Sequence, residues 1–259
     1  MRRLICSLAL VRACCWAWDT PPHQQITKAA LDTLPQQSLA RLGAEARPLI
    51  EIYCIFPDRY EEMVHYGFVR KGPGPRTASE IRIYCVRPDG EPIHGATHDR
   101  EMDTGSLVYL LERIVASLSG NRPGETARYA GVLSHFIADS LSPPHAVRAE
   151  ELLDMVPPSA RNDRIDIHSA IERSLPEFTL GDRVPRMVGG HIVAAAQAIL
   201  DQCYRGAERN KRALPSVVKA ACAHDEPALN DYRLRAGINA AEILADALYT
   251  LFGIEEAGR

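Results

Sequence analysis

The spacing of apolar residues along the chain predicts a protein built mostly of helices. Between residues 105 and 118 apolar side chains recur every three or four positions, as they do on one face of a helix: Leu107, Leu110, Leu111, Ile114, Val115 and Leu118. Comparable patterns, start signals and stop signals predict further helices over residues 23–34, 38–55, 125–141, 164–175, 188–206, 215–223 and 229–252. The sequence contains no internal repeat. It therefore predicts one compact, all-α, multi-helix domain.

Residues 68–100 depart from this helical pattern. The run Gly72-Pro73-Gly74-Pro75 is typical of a loop. The segment 81–86 alternates apolar and polar residues in the manner of a short strand. We expect an irregular insertion here that holds at most one hairpin.

The first seventeen residues differ from the rest of the chain. Two arginines precede a short apolar run, and small residues lead up to Ala17. This order is typical of a secretory signal peptide, although Arg12 interrupts the apolar region. A disordered basic start and a lipoprotein anchor at Cys14 are the alternatives. Cleavage after Ala17 would leave residues 18–259 as the mature domain and predicts a secreted or periplasmic protein.

Charge and cysteine content add two constraints. The formal net charge is -3 and no run of lysine and arginine is present, which argues against a protein that binds duplex DNA over a broad surface. Four cysteines would remain after cleavage, and an even number in an oxidising compartment favours two disulfides. Chain order suggests Cys54–Cys85 and Cys203–Cys222, while the other pairings and four buried free thiols stay open.

Histidines and carboxylates are spaced so that several of them share helix faces. His135 lies four residues before Asp139, and His168 lies four residues before Glu172, so each pair lies on one face of a helix. His145 follows a double-proline break that can turn the chain back toward the first pair. Taken alone, each pair could be exposed or satisfied within the core. Together, nitrogen and oxygen ligands without thiolates are typical of catalytic zinc.

Four more residues extend this set on the N-terminal side. Asp58 precedes His65 by seven positions, and Trp18, which cleavage would make the N-terminal residue, precedes His23 by five. Asp58 could instead cap a helix, and His65 could be an ordinary surface histidine.

The order of these residues resembles the superfamily of zinc-dependent phospholipases C and single-strand-specific zinc nucleases. Its H-x3-D-x5-H element is matched from His135 to His145, and its H-x3-E element is matched from His168 to Glu172. Its mature chains begin with a tryptophan, which corresponds to Trp18. The resemblance covers most of the mature chain.

The resemblance implies three zinc ions. Their ligand sets combine imidazoles, carboxylates and the N-terminal residue: Asp58, His65, His135 and Asp139; Trp18, His23 and Asp139; and His145, His168 and Glu172. Asp139 would bridge the first two ions. The free amine of Trp18 matters because an amide nitrogen is a poor ligand, so removal of the signal peptide would complete the site. The gap before His65 is shorter than the family pattern, which leaves His94 and His98 as alternative ligands.

The resemblance also implies the reaction. Two zinc ions about 3.5–4 Å apart can share a hydroxide that attacks phosphorus. The third ion would stabilise the departing alkoxide. Asp58 is the candidate catalytic residue, since it could orient or deprotonate the attacking water. The products would be a phosphomonoester and an alcohol.

The substrate class stays open at this point. A glutamate as the last ligand, Glu172, favours a phospholipase C that acts on phospholipid at a membrane surface. A single-strand-specific nuclease or 3'-nucleotidase is the alternative, and Tyr66 could stack on a nucleobase or line a headgroup pocket. A secreted zinc protein without catalysis is a third interpretation. We expect a monomer and no stable protein partner.

Overall fold

The computed structural model describes residues 20–69, 72–93, 104–161 and 166–257. The expected signal peptide, residues 1–17, lies outside these ranges. So do Trp18 and the alternative ligands His94 and His98.

The described residues fold into helices joined by short connections. In chain order the helices are α1 Thr20–Leu31, α2 Gln36–Leu42, α3 Ala46–Glu51, α4 Phe56–Tyr66, α5 Ala78–Cys85, α6 Thr104–Ser119, α7 Pro123–Ser140, α8 Ala149–Asp154, α9 Pro158–Arg161, α10 Ile167–Glu172, α11 Ile192–Cys222 and α12 Glu226–Ala257. Short 3-10 helices span Gly43–Glu45, Tyr53–Ile55 and Pro143–Ala146. No strand forms within these ranges, so the all-α prediction is confirmed.

Helix α7 lies at the centre of the larger of two hydrophobic cores. Every residue from Tyr129 to Asp139 on this helix is buried, and α1, α6, α11 and α12 pack around it. A smaller core joins α10 to the second half of α11 and the start of α12, through contacts among residues such as Ile171, Val217 and Leu229. Ligand candidates on α7 and α10 therefore belong to different packing units.

The segment predicted as a strand forms helix α5 instead. Thr77 caps its N-terminus, and Glu80 accepts a hydrogen bond from the backbone N–H of Thr77 at 2.8 Å, which completes a capping box. Ile81 and Cys85 face the core one helical turn apart, whereas Ile83 between them is exposed. The alternating pattern predicted a strand because Ile81, Ile83 and Cys85 would share one face of a strand. Only an isolated bridge between residues 86 and 92 resembles the expected hairpin.

Helix α11 is one continuous helix where two were predicted. It continues through Gly206, where the first predicted helix ended, and through Pro215, where the second began. Gly206 serves close packing rather than termination, since a Cβ there would lie 2.8 Å from Leu141 Cδ2 and from Asn239 Nδ2. Tertiary packing against the neighbouring segments thus outweighs the low helix propensity of these residues.

Helix α12 is apolar enough to resemble a membrane span. By length and composition alone its segment Glu226–Glu255 could cross a bilayer, but 67% of the apolar window is buried within the protein. This burial is what the core helix of a globular domain shows.

The four described cysteines are free thiols, and neither predicted disulfide forms. Cys203 and Cys222 lie nineteen residues apart in the single helix α11, which separates them by roughly 28 Å along the helix axis. This is far beyond the reach of a disulfide. The Cys54 thiol donates to the Ile50 carbonyl at 3.0 Å, and burial raises the pKa of both Cys54 and Cys203 to about 12.

A glycine lets α7 approach the 3-10 helix Tyr53–Ile55 very closely. A Cβ at Gly131 would lie 2.5 Å from the backbone carbonyl carbon of Tyr53, which is shorter than any real contact. One turn further along α7, the carbonyl oxygen of Cys54 lies 2.9 Å from Nδ1 of His135. The same close approach therefore orients a ligand candidate.

We expect Gly131→Ala to lower the free energy of unfolding by about 1–3 kcal/mol, because a buried backbone segment must move to accept the methyl group. Gly124→Ala on the same helix is the matched control. A Cβ at Gly124 would come too close only to the end of the flexible Arg128 side chain, at 2.8 Å, and would lie at an ordinary contact distance of 3.8 Å from the Glu45 carboxylate carbon. Urea unfolding of the two variants measures the difference, and equal midpoints would contradict the close-packing argument.

Candidate metal centre

The first ligand cluster lies where α1, α4 and α7 meet. His135 Nε2 lies 3.0 Å from Asp139 Oδ2 and 3.5 Å from Asp58 Oδ1, while His23 Nε2 lies 3.3 Å from Asp139 Oδ1. One ligand atom each from His23, Asp58 and His135 falls within 4.8 Å of the others. The rings of His23 and His135 stack at 4.1 Å between centroids.

Helix geometry explains how four distant positions meet. His135 and Asp139 are one turn apart on α7, and both are buried. Pro57 lies in the first turn of α4 and starts that helix, so Asp58 points from its N-terminal end. His23 lies in the first turn of α1, which packs against α7. The three helices α1, α4 and α7 thus bring these four side chains together at one place in the fold.

Hydrogen bonding at this cluster favours a cation between its members. The Cys54 carbonyl can only accept a hydrogen bond, so Nδ1 of His135 donates to it at 2.9 Å. Nε2 then faces the Asp58 and Asp139 carboxylates, an arrangement typical of metal-binding histidines held by an outer carbonyl. His23 is fully buried, and Nδ1 of its ring has no hydrogen-bond partner within the described chain. These nitrogen and oxygen donors fit zinc.

Asp139 stays ionised although it is buried. Burial by itself would raise the pKa of Asp139, but the neighbouring charges of His135 and His23 outweigh burial and hold this pKa well below its usual value. Each of its two carboxylate oxygens faces a different imidazole. Asp139 could therefore bind a cation next to His23 with one oxygen and a cation next to His135 with the other.

The second ligand cluster combines a turn with a short helix. His145 comes from the 3-10 helix Pro143–Ala146, and His168 and Glu172 come from α10. His168 Nδ1 lies 2.8 Å from Glu172 Oε2, and His145 Nε2 lies 3.3 Å from Glu172 Oε1. One ligand atom from each of the three falls within 4.8 Å of the others. Ser142 also donates a hydrogen bond to Glu172 Oε1.

The two clusters are neighbours. Ser142, which bonds Glu172, follows Asp139 by only three residues. The charge of Asp139 is also among the interactions that raise the pKa of His168. The structure therefore brings together His23, Asp58, His135 and Asp139 on one side and His145, His168 and Glu172 on the other, in two adjacent groups.

Two predicted site residues lie away from both clusters. His65 is 57% exposed and its Nε2 pairs with Glu61 Oε2 at 2.7 Å. Because α4 is continuous, His65 lies about 10 Å along the helix axis from Asp58. Tyr66 contacts the ring of Phe68 at 6.3 Å between centroids.

Two groups that orient the ligands were not among the residues predicted from the sequence. The Cys54 carbonyl bonds His135, but a backbone group carries no sequence signal. Ser142 donates a hydrogen bond to Glu172, and the only sequence feature that pointed to Ser142 was its position between Asp139 and His145 in the H-x3-D-x5-H element.

Comparison with known families agrees with this arrangement. A family model described as zinc-dependent phospholipase C matches residues 22–224. This is more than half of the chain, so the chain belongs to the zinc-dependent phospholipase C family, as the sequence resemblance predicted. The matched segment contains both clusters and ends before α12. A search of curated proteins gives no match.

The His168–Glu172 pair makes the stability of the metal-free protein depend on pH. Burial opposes the charged form of both groups, but their mutual attraction raises the pKa of His168 above 6.5 and, together with His145, lowers the pKa of Glu172 from 4.5 to about 2. The contribution of His168 is lost as pH rises through its raised pKa, and that of Glu172 is lost as pH falls toward about 2. The pair therefore stabilises most between pH 4.5 and 6.5.

We expect Glu172→Gln to cost the metal-free protein most stability inside that window and less on either side. Urea unfolding of metal-free protein across pH measures the difference from the parent chain. The exposed Glu177→Gln, on the segment after α10, is the control and should give no such window. A pH-independent cost for Glu172→Gln would contradict the ion-pair interpretation.

The position of His65 generates a separate test. We expect His65→Ala to retain the zinc content of the parent chain, because its imidazole lies outside both clusters. His135→Ala should lose zinc. Metal analysis of dialysed protein that begins at Trp18 measures both variants. Loss of one zinc in His65→Ala would show that α4 rearranges around the bound ion.

Proposed function

We propose that this protein is a secreted phospholipase C that hydrolyses the phosphodiester bond of phospholipids at a membrane surface. The observation that carries the proposal is the pair of adjacent clusters of imidazole and carboxylate, each buried except for one partly exposed member, in a member of the zinc-dependent phospholipase C family. Hydrolysis on the glycerol side of phosphorus would release a phosphorylated headgroup and a diacylglycerol.

We propose three zinc ions, held by the two clusters and by the free N-terminal residue Trp18. His23, Asp58, His135 and Asp139 would serve the ions of the first cluster. His145, His168 and Glu172 would hold the remaining ion. Zinc supplies Lewis acidity toward phosphate oxygens and lowers the pKa of water. Removal of residues 1–17 on export would expose the amine of Trp18.

The charge of the site explains why the reaction would need these ions. Asp58, Asp139 and Glu172 place three carboxylates in two neighbouring clusters. A phosphodiester is itself an anion, so it would be repelled by ionised carboxylates in a site of low dielectric constant. Bound cations would remove this repulsion, and chelation should therefore abolish activity rather than reduce it slightly.

Asp58 is the member of the first cluster best placed to meet a water molecule. Its side chain is 21% exposed, whereas the side chain of His135 is fully buried and that of Asp139 nearly so. We propose that the Asp58 carboxylate orients the attacking water and accepts its proton. At the second cluster the more exposed member is His145, at 15%. Substrate would therefore approach from the side of these two residues.

The first test offers two substrates to the chain that begins at Trp18: phosphatidylcholine vesicles and a single-stranded oligonucleotide. Phosphorus NMR follows both. We expect phosphocholine to appear and to be absent after zinc chelation. Nucleoside monophosphates in its place would assign the site to a nuclease or 3'-nucleotidase. Bound zinc without turnover of either substrate would favour a non-catalytic zinc protein.

A variant of Asp58 tests its role. We expect Asp58→Asn to lower kcat by a factor on the order of 10²–10⁴, because a proton acceptor is lost from the transition state. The exposed Asp201→Asn on α11 is the control and should retain full activity. Zinc content is measured in parallel, and unchanged kcat in a zinc-loaded Asp58→Asn variant would exclude Asp58 as the base.

A further inference from the structure

A fully buried arginine on α12 contacts the helix that carries two ligands of the second cluster. The side chain of Arg233 has no solvent exposure. Its Nε donates to the Ile171 carbonyl at 2.7 Å, and its Nη2 donates to the Ala170 carbonyl at 2.5 Å. These two residues lie between His168 and Glu172 in the chain.

Helix α10 needs such a contact. It has six residues, which is too short for a helix to be stable by itself. Asp166 caps its N-terminus by accepting a hydrogen bond from Ser169 N at 3.1 Å. In its last turn the Ser169 carbonyl accepts from Arg173 N at 3.0 Å, and Arg233 supplies the donors for the next two carbonyls, those of Ala170 and Ile171.

One carboxylate and one amide side chain hold the guanidinium in this orientation. Nη1 of Arg233 donates to Glu226 Oε2 and to Asn230 Oδ1, each at 2.8 Å. Glu226 also accepts a hydrogen bond from Arg173, the residue after Glu172, at 2.6 Å. The C-terminal end of α10 is thereby tied to the first two turns of α12.

We propose that Arg233 is a positioning residue that sets the zinc affinity of the second cluster. By holding the carbonyls of Ala170 and Ile171, it fixes the rotation of α10 and so the relative placement of His168 and Glu172. The proposal rests on the proposed zinc binding. It adds a determinant that lies in α12, beyond the segment 22–224 that the family model matches.

The chemistry of arginine suits this task better than that of lysine. The planar guanidinium presents donors in a rigid fork, and four of the contacts described above use that fork at once. A lysine would keep the charge, but its single ammonium group cannot span the same set of acceptors. Arg233→Lys therefore tests orientation separately from charge.

The effect should be confined to one cluster. The first cluster is built from α1, α4 and α7, and none of the contacts of Arg233 given above involves those helices. A general loss of stability would weaken zinc binding at both clusters. A positioning role would weaken it at the second cluster alone.

The experiment measures zinc affinity of metal-free protein by competition with a chromophoric chelator, in two backgrounds. His23→Ala disables the first cluster and reports the second, and Glu172→Gln does the reverse. We expect Arg233→Lys to weaken zinc binding about 10- to 100-fold in the His23→Ala background. In the Glu172→Gln background the affinity should stay unchanged. Arg235→Lys is the matched control, since Arg235 is exposed on the same helix, where it pairs with Asp231 and lies over the ring of Tyr232, both on α12.

The outcomes separate this proposal from the proposed function. Equal weakening in both backgrounds, or no weakening in either, overturns the positioning role while zinc binding stands. Absence of zinc binding in the His23→Ala protein itself overturns both. If Arg233→Lys does not fold, Glu226→Gln carries the test, because it removes one support of the guanidinium at a partly exposed position. It should weaken the second cluster in the same direction, and unchanged affinity there overturns the proposal.

Discussion

The structure depends on the burial of ionised carboxylates among imidazoles inside a helical core. An unpaired buried carboxylate costs several kcal/mol, so Asp139 and Glu172 are tolerable only with opposite charge beside them. In the metal-free chain the neighbouring histidines provide that charge, and the pKa of each carboxyl falls in consequence. A bound zinc ion would place positive charge beside the same carboxylates. Stability and function thus rest on the same pairs of atoms.

The two clusters are held by different means. The first belongs to the larger core, where α7 is buried along most of its length and Gly131 lets the Cys54 carbonyl reach His135. The second lies on a turn and on a six-residue helix, which have little stability of their own. It depends on two further side chains, namely Ser142, which directly precedes the turn, and Arg233 on α12. This difference predicts that the second cluster is the more easily altered of the two.

Much of the fold and site could be predicted because it depends on local periodicity. The pairs His135–Asp139 and His168–Glu172 lie one helical turn apart in the structure, as their spacing indicated, and the all-α class is confirmed. The local strand pattern at 81–86 was misleading, because capping by Thr77 and Glu80 started a helix in which only every fourth residue is buried. The suggested disulfide between Cys203 and Cys222 was wrong because helix α11 continues between them.

The sequence by itself determined the helical class, the family and the residue types that can bind zinc, since these follow from periodicity and from ordered ligand spacing. Only the tertiary structure decided which ligands meet. His23, Asp58 and His135 come from three helices whose relative placement depends on packing between residues far apart in sequence. The same packing leaves His65 on the surface beside Glu61, and it brings Arg233 onto the carbonyls of α10. Contacts of this kind leave no local pattern, because they are set by the shape of the whole core.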